Sequence, residues 1–547
     1  MSSTSSKTFL RGALVLAIAA MISKMLGSVY TVLLQNVIGD SGMGLYQMAY
    51  PIYATLLVIS TAGFPVAVSK YVSEYTALGD VASAKKIYHV SFALLSVVGF
   101  LCAVSLYLSA GFFARISGDP KAIYAIQAIA PALFVVPAMS TMRGYFQGWQ
   151  MMNPTAVSQV VEQFVRVATI LIGAYVVLHF GFGDAFAAAA AAFGAVSGGI
   201  AGFLVMAYYF WRYRKKAEDG GSKRFQTKQV TKVHVPLSTV QILKRLLYYA
   251  IPVSLGALVI PLTSNVDALT VTNLLKQEGL SQLAATRDFG LLAGRAFKLM
   301  MLPAALAGSI GTALMPSVSQ ANALRQEQDT STRILLGMRV AILFSLPAAV
   351  GLFILGKPID IALFQNSAGY HSIEILGAAT FFSSVQIALA ASLQGLGAVY
   401  IPLRSLLVGT ILKVALNFLL VPHFGIDGAA IATTVSYTVA AAMNFMSLRR
   451  LVGPSISMTK MLWKPAFATF VMGAFTFAVY RQWDHLGLSV DPRIDAFLVT
   501  AVGVSVGIVV YVFMLVVAGS VTATELSAMP KVGVPLVRFF RRMGMIA

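Results

Sequence analysis

The sequence predicts an all-α polytopic membrane protein: about fourteen transmembrane helices, arranged as two parallel six-helix lobes plus two extra helices. Three observations predict it. The 547 residues are 58% hydrophobic and 11% charged, against roughly 25% charged in an average soluble domain, and mean hydropathy is +0.79. The apolar residues fall in long runs, each near the length that crosses a bilayer. Short matches also recur in one order at nearly one shift. Phe134 and Gln147-Gly148 return as Phe381 and Gln394-Gly395, His179-Phe180-Gly181 as His423-Phe424-Gly425, and Gly44-Leu45 as Gly290-Leu291.

Spans are expected near 9–34, 44–69, 87–113, 122–148, 154–178 and 185–211. Lys7 and Arg11 precede the first run as they would in a signal peptide, but the run continues past the length of an h-region, so it reads as an uncleaved helix. Six more spans follow near 247–275, 286–316, 334–356, 371–398, 402–422 and 427–449, then two near 461–480 and 496–519. The expected organisation is an N-lobe over 1–211, a basic cytoplasmic linker over 212–245 and a C-lobe over 246–450. Spans thirteen and fourteen fill 451–520, and a basic tail fills 521–547. The tail, with Arg538, Arg541 and Arg542, is expected to form an amphipathic surface helix. An even number of spans per repeat gives both copies one orientation, an arrangement used by transporters that bind substrate between the halves.

The formal charge is +20. Basic residues gather at the ends of apolar runs, which points to cytoplasmic loops rather than to nucleic acid. Lys70, Lys85, Lys86, the linker, Arg449, Arg450, Lys460 and Lys464 fall on one side, so both termini are expected in the cytoplasm of a plasma-membrane protein. The lone Cys102 excludes an internal disulfide.

A charge at mid-bilayer costs about 2.5–3.5 kcal/mol on the insertion scale. Seven stand out: Lys24, Glu162, Arg166, Asp267, Arg295, Lys298 and Lys413. Glu162 and Arg166 are one helical turn apart and read either as a self-neutralising pair or as part of a site. Arg295 and Lys298 share a face with no acid on it, so they must meet a wet cavity or a partner. Lys413 reads as a site cation or as a partner of Asp267. Cations outnumber acids, which predicts an anionic ligand such as phosphate or diphosphate, bound through Lys24, Arg295, Lys298, Arg166 and Lys413. Asp267, Asn417 and Thr433 offer an acid, an amide oxygen and a hydroxyl, either for a small cation such as Na⁺ or as a hydrogen-bonded cluster.

Enzyme signals are poor. His89, His179, His234, His371, His423 and His485 lie at span ends or in loops without metal-ligand spacing. There is no P-loop, so transport would draw on Na⁺, H⁺ or the membrane potential, with no cofactor. A monomer with lipid contacts is expected.

Two motifs carry a family resemblance. Ser23-Lys24-Met25-Leu26-Gly27 in span one matches Ser-Arg/Lys-x-Leu-Gly. Gly311-Thr312-Ala313-Leu314-Met315-Pro316-Ser317-Val318-Ser319 matches Gly-Thr-x-x-x-Pro-x-x-Ser in span eight. With Lys298 five residues before Pro303, the chain resembles the multidrug/oligosaccharidyl-lipid/polysaccharide exporter superfamily. Within it, the chain looks like the lipid II flippase family (MurJ type), in the branch of the stage V sporulation protein B relatives. The resemblance covers nearly the whole chain. It implies export of lipid-linked peptidoglycan precursor from the inner to the outer leaflet, with Lys24 and Lys298 on the diphosphate-sugar head. The last two helices would extend a groove for the polyprenyl tail. Tyr30 stands near where the Gram-negative arm has a second span-one cation. The family's sodium site is matched by Asp267, Asn417 and Thr433, with Val421 in place of its further acid. Rival readings are a flippase for another polyprenyl-diphosphate glycan and, against the sign of the charges, a drug/cation antiporter.

Overall fold

In a lipid solvent every backbone N–H and C=O must find a partner within the chain, which leaves helices as the means of crossing for runs of this length. The computed structural model describes residues 3–61, 63–218, 238–453, 458–486 and 491–520, and no strand occurs among them. The expected helix in the tail and most of the linker lie outside the described residues.

Two units are distinguished, Met1–Gly290 and Leu291–Ala547. The first contains α1 (Ser3–Thr61), α2 (Phe64–Ala77), α3 (Val81–Leu108), α4 (Ala110–Ile116), α5 (Ile123–Ile129), α6 (Ala132–Gly148), α7 (Met152–His179), α8 (Asp184–Glu218), α9 (Thr239–Gln277) and α10 (Gln282–Gly290). The second opens on a π-helical turn (Leu291–Ala296). It continues with α11 (Phe297–Ala323), α12 (Glu327–Phe364), α13 (Tyr370–Gly395), α14 (Tyr400–Val452), α15 (Met458–Leu486) and α16 (Pro492–Val517).

Two of these helices hold two crossings each. α1 turns at Gly39, where φ is 67°, and α14 turns at Gly425, where φ is 58°. Such angles are cheap for glycine, which has no Cβ. Eleven stretches among the described residues are long and apolar enough to cross a membrane, and two of them run through these kinks. Among the described residues the fold is all-helical, as expected from the sequence.

The internal repeat is written in the backbone as well. Left-handed residues follow the helices at Gly79, Gly118, Gln150 and Gly181, and again at Arg325, Gln365, Gly397 and Gly425. The two series run in one order at nearly the offset of the sequence matches. The repeated glycines play one role in packing. A Cβ on Gly148 would lie 2.7 Å from Cβ of Val72, and one on Gly395 would lie 2.8 Å from Cβ of Val318.

Within the first unit, α1 packs against α7 and α9, and α7 lies along α8. Helix α9 docks through polar contacts. The Gly63 N–H donates to Ser254 Oγ at 3.1 Å, and Asn265 Nδ2 donates to Thr55 Oγ1 at 2.6 Å. Asn265 Nδ2 also donates to the carbonyl of Pro51 at 3.2 Å, a proline within α1. Gly194, Gly198 and Gly202 form a small-residue stripe on α8 at a spacing of four, which lets backbones approach. A Cβ on Gly198 would sit 2.7 Å from the Glu162 carbonyl oxygen and 2.8 Å from Cβ of Arg166. Gly198→Ala is therefore expected to push α8 off α7 and cost about 1–3 kcal/mol. A thermal melt of the purified protein reads this, and an unchanged midpoint would contradict it.

In the second unit α13 packs against α11, α12 and α14, while α15 and α16 pack on one another and on α12. The Tyr511 hydroxyl donates to the Leu343 carbonyl at 2.9 Å. Arg493 Nε donates to the Ala362 carbonyl at 3.2 Å, and Trp483 Nε1 donates to Asp495 at 2.8 Å.

Candidate functional site

In the first unit the charged residues gather where α6, α7 and α8 meet. Glu162 sits on α7 with one carboxylate oxygen 2.8 Å from Arg143 Nη2 of α6 and the other 2.6 Å from Arg166 Nη2. The expected Glu162–Arg166 pair is present, and it is one half of a triad. Ser158, one turn before Glu162, accepts from Arg143 Nε at 3.2 Å and Nη2 at 2.7 Å. Its own hydroxyl donates to the Gly202 carbonyl at 3.0 Å. Gly202 has no side chain to obstruct this, since a Cβ there would lie 2.7 Å from Met139 Sδ and 3.4 Å from Arg143 Nη2. Two guanidiniums on one carboxylate leave a surplus positive charge. The side chains keep 16%, 11% and 19% exposure for Arg143, Glu162 and Arg166, so the triad is not sealed.

Tyrosines of α1 stand beside this charge. Tyr46, Tyr50 and Tyr53 occupy successive turns, with ring centroids 5.9 and 6.1 Å apart. The Tyr30 and Tyr46 hydroxyls are 3.3 Å apart. Tyr30, Tyr50 and Tyr53 lie within electrostatic reach of the Arg166 guanidinium. Helix α1 meets α7 here: the Ser23 hydroxyl donates to the Gln159 carbonyl at 3.5 Å, and Gly27 faces the Gln163 amide. Lys24 is on this part of α1, but its side chain lies outside the described residues. Asp267 is buried on α9 of the same unit.

In the second unit Arg295 lies in the π-helical turn and is 2% exposed. The face expected to carry no acid does meet one. Arg295 Nη1 is 3.1 Å from Asp360 Oδ1, whose side chain is fully buried. Arg295 also donates to Asn366 Oδ1 at 2.8 Å, and its guanidinium carbon lies 4.8 Å from the centroid of the Phe364 ring. Lys298 follows on regular α-helix and is half-buried. A π turn bonds i to i+5 and so rotates the register of the helix. The two cations are therefore placed in different surroundings: Arg295 is internally neutralised, and Lys298 is partly open.

Lys413, Asn417 and Thr433 are all buried on α14. Lys413 and Asn417 are one turn apart on one face, and Val421 continues that face. The Thr433 hydroxyl donates to the Ala429 carbonyl at 2.9 Å, which leaves its lone pairs free to accept.

Two residues escaped the sequence reading. Arg143 is a further charge inside the fourth span, and the rule that selected the other seven applies to it. Asp360 falls just past the expected end of span nine, whereas α12 continues to Phe364.

The polysaccharide biosynthesis protein family matches residues 9–322, and the MatE family matches residues 252–419. The lipid II flippase MurJ of Bacillus subtilis is 32% identical over 93% of this chain and 95% of its own length. The uncharacterized membrane protein YabM of Bacillus subtilis is 31% identical over 97% and 96%. Stage V sporulation protein B of the same organism is 28% identical over 97% and 99%. Among solved structures, an inward closed lipid II flippase MurJ matches with a TM-score of 0.64 at 15% identity, covering 92% of this chain and 98% of that one. An inward-facing multidrug resistance MATE transporter matches with a TM-score of 0.64 at 18% identity, covering 81% and 98%. These two likenesses bear on the fold. With a family model over more than half the chain and relatives of this identity over nearly all of it, the chain belongs to the polysaccharide biosynthesis protein family, in the lipid II flippase branch of the transporter superfamily that also holds stage V sporulation protein B.

Proposed function

We propose that this membrane transporter is a flippase for lipid II, the lipid-linked peptidoglycan precursor, and that it moves the head group from the inner to the outer leaflet by alternating access. The observation that carries this reading is the end-to-end similarity to the lipid II flippase of Bacillus subtilis. The surplus of cations inside the spans agrees with it, since a polyprenyl diphosphate is an anion. Lys24, Lys298 and Arg166 hold the diphosphate and sugar head, Lys413 adds positive potential, and Arg295 acts through its ion pair with Asp360. Carrying a dianion past neutralising side chains avoids most of the cost of moving a bare charge through hydrocarbon. The chain works as a monomer in the plasma membrane with both termini in the cytoplasm. Its energy comes from an ion gradient or the membrane potential, with Asp267, Asn417 and Thr433 as the residues for a small coupling cation such as Na⁺.

A second reading is a flippase for another polyprenyl-diphosphate glycan, because the similarity to YabM and to stage V sporulation protein B, whose names give no substrate, is equally extensive. Depletion of the chain in its host, with lipid II on each leaflet measured by an external probe of the head group, separates the two. Lipid II is expected to accumulate on the inner side. An unchanged distribution in a host without a redundant flippase would reject the lipid II reading.

A further inference from the structure

This inference rests on the flippase reading and concerns the triad of the first unit. Arg143 is braced on several sides: it holds Glu162 at 2.8 Å and Ser158 at 2.7 Å, and Ser158 is itself tied to Gly202. Arg166 is held less. It shares Glu162 at 2.6 Å, and its buried Nε has no hydrogen-bond partner among the described residues. Beside it, Tyr53 is 2% exposed, and its hydroxyl likewise has no partner there. That phenol lies within electrostatic reach of both Arg166 and Glu162. A buried donor without an acceptor is costly and is stabilised when an acceptor arrives. The group that satisfies Arg166 and Tyr53 together is an oxyanion, which accepts several charge-assisted hydrogen bonds at once.

We propose that Glu162 is an internal stand-in for a substrate oxyanion. The anionic group of the lipid-linked substrate, a phosphate or a carboxylate, takes Arg166 and the Tyr53 hydroxyl, while Glu162 stays on Arg143. On release Glu162 returns to Arg166. The exchange keeps each guanidinium paired throughout. A bare buried cation would be costly, and an anion with no rival for it would leave slowly. Glu162 therefore lowers resting affinity and speeds release.

The test uses the full-length protein in nanodiscs. Binding of a polyprenyl diphosphate, of inorganic diphosphate and of a short acidic peptide is titrated separately, and flipping and thermal melts are measured alongside. Tyr53→Phe removes a hydroxyl without a hydrogen-bond partner among the described residues, so its melt is expected to match the wild type while binding weakens about tenfold. Glu162→Gln is expected to tighten binding about tenfold and to slow flipping. Saturable binding of inorganic diphosphate assigns the subsite to phosphate, and binding of the peptide assigns it to a carboxylate. Wild-type affinity in Tyr53→Phe, or weaker binding in Glu162→Gln, overturns the proposal and makes the triad a brace. Wild-type protein that binds no polyprenyl diphosphate defeats the flippase reading instead. The two lipid-free ligands then still report on the subsite, and failure of both to bind overturns it.

Discussion

Asp360→Ala is expected to destabilise the second unit by about 3–5 kcal/mol, the usual cost of leaving one partner of a buried ion pair uncompensated. Arg295 and Asp360 keep 2% and 0% side-chain exposure, so water cannot replace the lost carboxylate. Asp360 also accepts from the Gly369 N–H at 2.8 Å, which fixes the turn leading into α13. Asn366 would still bind Arg295, and the Phe364 ring would still face it, but neither carries a negative charge. The loss appears as a lower unfolding midpoint of the solubilised protein. Replacing both partners with apolar residues, Arg295→Met with Asp360→Leu, is expected to cost much less, because no charge is then buried. A double variant as unstable as Asp360→Ala would show that the hydrogen bonds to the turn, not the ion pair, dominate.

The largest effect on activity is expected at Lys298, and the next largest at Lys24. Lys298→Ala should abolish rescue of a depleted host while leaving the amount of folded protein unchanged. The side chain is half-buried within a membrane-spanning helix, where a charge is retained at a cost. Its loss should not weaken the fold, whereas each charge-assisted contact to a diphosphate contributes about 1.5–3 kcal/mol. That corresponds to a loss of roughly ten- to a hundredfold per residue, and the Lys24→Ala, Lys298→Ala pair should lose more than either alone. Lys298→Arg keeps the charge and should keep most activity. Full rescue by Lys298→Ala would sink the assignment of this cation to substrate.

The charged residues show how far one chain can be read without its fold. Glu162 and Arg166 were legible as a pair because one helix sets both, four residues apart. Arg143 joins them from α6, nineteen residues away along the chain, and helix periodicity says nothing about such a partner. Lys298 was expected to share its face with Arg295. The π-helical turn rotates the two apart and buries only the second. Tyr53 carried no signal at all: a tyrosine in an apolar span reads as packing until its hydroxyl is found without a hydrogen-bond partner among the described residues.

The sequence by itself determined the all-helical class and the twofold repeat. Bilayer thickness sets the length of an apolar run, and a lipid solvent forces every backbone group in that run into helical hydrogen bonds. Even the left-handed turns of the repeat follow motifs that can be read residue by residue, as at Gly181 and Gly425. Only the tertiary structure decided which charges are spent on one another. Helix rotation and the close approach permitted at Gly198 and Gly202 bring α6, α7 and α8 together around one carboxylate. The reach of Asp360 from the end of α12 neutralises Arg295. Such pairings depend on distances of a few ångströms between different helices, and no local pattern of residues encodes them.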